Sequence, residues 1–131
     1  MTVTCGLLPN FMIQSYKDLK VWQKSIDLSV KIHEVTKRFP KEELYGLVSQ
    51  MRRAAFSIAS NIAEGYCRKH LGEYVRFLGI AYGSAAELET QLIIARRIDL
   101  MEKSSFDQLS DSIQEIMRML YILRRRLEGK K

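Results

Sequence analysis

Two histidines, His33 and His70, two cysteines, Cys5 and Cys67, and the carboxylates Glu64, Glu87 and Glu89 are the side chains with which this chain could hold a metal or move a proton. A di-metal carboxylate centre in a helical bundle needs Glu-x-x-His pairs projecting inward, and a zinc hydrolase helix needs His-Glu-x-x-His. Neither spacing occurs. The cysteines are far apart and form no Cys-x-x-Cys clip or disulfide framework. Ser57, Ser60 and Cys67 have no activating base in their sequence context, and the serines read as small packing residues. Gly79-x-x-x-Gly83 lacks the preceding strand and the Gly-Lys-Ser/Thr ending of a phosphate loop. The expectation is a protein without catalytic residues, metal or cofactor.

Cations are the remaining chemistry. Lys and Arg total 21 against 15 Asp and Glu, a net charge of +6, and residues 118–131 alone hold six cations and one anion, Glu128. Basic pairs recur at Arg52-Arg53, Arg68-Lys69, Arg96-Arg97, Arg124-Arg125-Arg126 and Lys130-Lys131. Singly, such residues keep a surface soluble or complement helix C-termini; as a set they make a polyanion-binding surface. No helix-turn-helix, RNA-recognition or zinc-finger pattern is present, so the contacts expected are to phosphates. The candidate nucleic-acid-binding residues are Arg52, Arg68, Lys69, Arg96, Arg97, Arg118, Arg124, Arg125, Arg126, Lys130 and Lys131. Arg53 is set apart from them because its stripe of the helix reads as internal.

The elements that position these residues follow from apolar periodicity. Helices are expected over 18–38, 42–64, 71–97 and 105–127, with Pro40 ending the first region and short connections between all four. The fold class is therefore all-α, an antiparallel up-down-up-down four-helix bundle. Asp18 is the expected N-cap of the first helix, Ser104 with Asp107 a capping box for the fourth, and Gly65 the left-handed end of the second. One domain spans 16–128, between a flexible arm at 1–15 and a basic tail at 129–131; Met12 is an alternative start. The first helix carries two apolar stripes. Leu19, Trp22, Ile26 and Val30 form one, and Val21, Leu28, Ile32 and Val35 the other, which is expected to be an oligomer interface. The second helix adds a small polar stripe in which Arg53, Ser60, Asn61 and Glu64 are expected to form a structural polar network. Gly79 and Gly83, in the third helix, point to close helix contact. No apolar run reaches the roughly 20 residues of a membrane span, and no secretory signal opens the chain, so the expected location is cytoplasmic.

Several segments resemble a known family: Asp18-Leu19-Lys20-Val21-Trp22-Gln23-Lys24, Phe39-Pro40-Lys41-Glu42-Glu43-Leu44-Tyr45-Gly46-Leu47, Arg52-Arg53-Ala54-Ala55, Ser60-Asn61-Ile62-Ala63-Glu64-Gly65, and Phe77 to Leu92. They are similar, in order and spacing, to the four-helix-bundle proteins encoded by intervening sequences in bacterial 23S ribosomal RNA genes. The resemblance implies a ring-like homopentamer. It extends to the accessory variability protein of diversity-generating retroelements, a basic bundle that associates with a reverse transcriptase and nucleic acid. The turn Ile98-Asp99-Leu100 departs from the family pattern, where a glycine is more usual. The expected function is an oligomeric, non-enzymatic protein that binds RNA or DNA through phosphates. The alternative is a scaffold or adaptor for a reverse transcriptase or other polymerase, without direct nucleic-acid binding.

Overall fold

Four long helices carry the apolar periodicity: α1 (Lys20–Thr36), α2 (Ser49–Cys67), α3 (Leu71–Arg97) and α4 (Lys103–Glu128). The computed structural model describes residues 13–130, and among these there is no strand. Of the expected flexible arm over 1–15, residues 1–12, with Cys5 and Met12, lie outside the described residues, as does the terminal Lys131. Each helix packs on two others, α1 on α2 and α4, and α3 on α2 and α4. Ile32, Met51, Ile58, Ile62, Leu78, Leu88, Ile113, Ile116 and Leu120 fill the space between them and are fully buried. No helix among the described residues is long and apolar enough to cross a membrane.

The start of α1 is tied down further upstream than expected. Ile13 is buried, and Ser15 caps a short 3-10 turn at Tyr16–Asp18 by accepting from Lys17 N. Asp18 is not the N-cap of α1. Its carboxylate points back to accept from Gln14 N and Ser15 N, and Leu19 takes the cap position without a side-chain bond. Within α1 the buried hydroxyls are satisfied locally, Ser25 on Val21 O and Thr36 on Ile32 O, while Ser29 reaches across to Ala55 O at 3.1 Å. That last bond sets α1 against α2.

The stripe of α1 expected to face outward turns inward, and of the other stripe Leu19 is buried and Trp22 packs against the core, which leaves only Ile26 and Val30 facing out. Val21, Leu28 and Ile32 are buried in the core and Val35 packs half-buried against it, so none of the four forms an outward interface. Ile26 and Val30 are instead 37% and 53% exposed. Ser29 faces α2, and Lys24 pairs with Glu115 of α4 at 3.3 Å. At 100° per residue, Leu28 and Ile32 lie between those two directions and must point inward.

After Pro40 the chain makes a 3-10 turn at Lys41–Glu43 and a widened turn at Leu44–Val48, where Gly46 leaves the helical region (φ −110°, ψ −105°). The regular α2 therefore begins at Ser49, later than its apolar pattern. Its far end also differs. Gly65 does not close α2, which continues to Cys67, and the left-handed residue is Lys69 (φ 64°). Gly65 is needed for a different reason: a Cβ there would lie 2.6 Å from the Phe77 Cβ of α3. At the end of α3, Asp99 takes the left-handed position (φ 63°) where a glycine is more usual. Leu100 N donates to Ala95 O and Asp99 N to Arg96 O, which satisfies the last carbonyls. Ser104 and Asp107 form no capping box: the cap of α4 is Glu102, without a side-chain bond, and Asp107 pairs with Lys103 at 2.8 Å.

Candidate nucleic-acid interface

Helix lengths separate the cations into two groups. Arg68, Lys69 and Arg76 surround the α2–α3 turn, whereas Arg96 and Arg97 end α3; from Arg76 to Arg97 the helix rises by about 32 Å. Gly79 assigns the end of α4 to the first group. The Arg124 guanidinium lies over this glycine, and a Cβ at Gly79 would meet Arg124 Nη2 at 3.2 Å. Arg125, Arg126 and Lys130 follow within two turns and are exposed. Residues 118–130 contain one anion, Glu128, against five cations. One end of the molecule is thus strongly basic.

At that end, two arginines share one ring. The guanidinium carbons of Arg68 and Arg76 lie 5.0 and 4.7 Å from the Phe77 ring centroid, and each also pairs with a carboxylate, Glu64 at 2.8 Å and Glu73 at 3.2 Å. These ion pairs are solvent-exposed, so water screens them and each is worth little for stability. Both guanidinium groups lie at the surface of this end, near Lys69, which is also exposed. Arg76 has no basic neighbour in sequence and is not among the sequence candidates; its place on the first turns of α3, one turn after Glu73, is the signal that points to it.

The opposite group is engaged differently. Arg52 donates from Nε to Thr36 Oγ1 at 3.0 Å and from Nη2 to His33 O at 3.2 Å. It therefore fastens α2 to the C-terminal end of α1, where the helix dipole favours a cation, and belongs to the fold more than to a ligand surface. Replacing Arg52 by alanine should cost about 1–2 kcal/mol of unfolding free energy, seen as a lower denaturation midpoint, and leave nucleic-acid affinity unchanged. Arg96 lies 3.9 Å from Asp99 in a hollow of about 490 Å³ shared with Arg38 and Glu102. Arg97 is exposed, and so is Arg118, which lies on α4 toward the first group.

The polar network also differs in membership. Ser57 and Ser84 are joined hydroxyl to hydroxyl at 2.8 Å, and Asn61 Nδ2 donates to Ser57 O and Oγ. Of the expected set only Asn61 takes part. Glu64 pairs outward with Arg68, Arg53 is exposed, and Ser60 faces the α1 side. Helical rotation explains it, since Ser57 and Asn61 are four apart on the α3 side while Ser60 is turned away. Ser60 lines an apolar hollow of about 560 Å³ with Ile26, Val30, His33, Phe56 and Ala59. Among the described residues no three His, Cys, Asp or Glu side chains come together as a metal site would need.

No curated protein matches the chain. A crystal structure of a protein of unknown function from the S23 ribosomal protein family of Bacteroides thetaiotaomicron VPI-5482 is similar in fold, with a TM-score of 0.75 at 24% identity, covering 80% of this chain and 95% of that one. The model of the 23S rRNA-intervening sequence protein family matches residues 17–122, which include all of α1, α2 and α3 and most of α4. The chain is therefore a member of the 23S rRNA-intervening sequence protein family.

Proposed function

We propose that this protein is a non-enzymatic, oligomeric, antiparallel up-down-up-down helical bundle that binds nucleic acid, mainly through phosphates, at its basic end. The observation that carries the reading is the Arg124 guanidinium on Gly79. It joins the basic end of α4 to Arg68, Lys69 and Arg76, and converts scattered sequence pairs into one surface. The opposed helix directions are supported by the contacts Ser57 with Ser84 and Tyr66 with Tyr74, and by Arg124 with Gly79. The assembly, a ring-like homopentamer by family resemblance, would use Ile26, Val30 and Phe56, which leave apolar surface exposed on the α1–α2 side.

The test is a salt titration of binding to labelled structured RNA and duplex DNA, with assembly mass measured by light scattering. Roughly five neutralised phosphates predict a log-log slope of about −4 to −5 on duplex. A flat dependence, or no binding at low salt, would overturn the reading in favour of an adaptor for a polymerase or other protein. A single-chain mass would overturn the oligomer.

A further inference from the structure

The outer face of the last turns of α4 carries an aromatic ring among its cations. Tyr121 is 52% exposed, unlike Tyr66 and Tyr74, which are buried at 6% and 7%. Arg118 lies three residues before it and Arg125 four after, the spacing that puts all three on one helical face over a rise of about 11 Å. The Arg125 guanidinium carbon is 6.0 Å from the Tyr121 centroid, the outer limit of a cation–π contact, so the ring keeps room for a second partner. The nearest preceding acid, Glu115, is turned to Lys24 of α1; Glu128 is the anion that remains near the face. Ile122, 48% exposed, extends the apolar surface beside the ring.

A planar ring between cations complements a chain that alternates planar bases with phosphates, and only unpaired bases offer a free face to it. Resting on the phosphate-binding reading above, we infer that α4 selects single-stranded nucleic acid, with a base stacked on Tyr121 and the flanking phosphates on Arg118 and Arg125. Duplex would meet the same cations without the ring.

The test compares binding of labelled oligo(dT) of about 20 nucleotides and a duplex of the same length by the full chain, its Tyr121→Leu variant and its Tyr121→Trp variant. Leucine keeps apolar bulk at an exposed position, so the fold is retained, as circular dichroism would verify. Tyr121→Leu should weaken oligo(dT) binding about 5- to 100-fold, leave duplex binding unchanged, and be rescued by Tyr121→Trp. Equal loss on both probes, no loss on either, or no rescue by tryptophan overturns the stacking role while leaving the basic surface in place. A Tyr121→Leu variant with altered assembly mass would also overturn it, by assigning the ring to a contact between copies. Failure of the unaltered protein to bind either probe at low salt overturns both readings together.

Discussion

Alanine at Gly65 should destabilise the fold by about 3 kcal/mol, at the upper end of the cost of forcing one methyl into a packed interior. The added Cβ would stand 2.6 Å from the Phe77 Cβ, an atom bonded directly to the backbone of α3, so no side-chain rotation relieves the clash. The helices must separate, and the loss would spread to the Tyr66–Tyr74 edge contact at 5.8 Å and the Ser57–Ser84 bond at 2.8 Å further along the same seam. Gly83→Ala is the control. Gly83 is helical and exposed, with no atom within 4 Å of an added Cβ, so the same substitution should stabilise by about 0.5–1 kcal/mol through helix propensity. Urea unfolding of both variants would read the difference; equal midpoints would remove close approach as the reason for Gly65.

Reversing Arg125, Arg126 and Lys130 to glutamate should lower nucleic-acid affinity about 100-fold, if each exposed cation contributes about 1 kcal/mol. The loss should be alike for all sequences, and the log-log salt slope should shrink by about 3. Arg124 is left unaltered because its guanidinium packs on Gly79 and its Nε is buried without a hydrogen-bond partner; reversal there would disturb α3–α4 packing and confuse affinity with folding. The matching substitution of Arg96 and Arg97, about 32 Å away along α3, should leave binding intact. Equal losses from the two ends would mean that binding is a general charge effect with no located surface.

The two substitutions probe different levels of the molecule. Gly65 concerns the distance between helices, and the arginines concern what the assembled helices present to solvent. Arg52-Arg53 and Arg68-Lys69 look alike as dipeptides, yet Arg52 bonds to the end of α1 while Arg68 stands at the surface over Phe77.

The sequence by itself determined the four helices, together with the breaks at Pro40 and around Asp99, because period, propensity and chain punctuation are local properties. Its basic ending was equally legible, as were the motifs that place the chain in its family. Only the tertiary structure decided which stripe of α1 turns inward, since Val21, Leu28 and Ile32 differ from Ile26 and Val30 only in the neighbours they find. Likewise, Gly65 reads as a helix end until α3 is seen 2.6 Å from where its Cβ would be. The grouping of Arg68, Lys69, Arg76 and the end of α4 arises from packing helices distant in sequence side by side, which no spacing along one helix encodes.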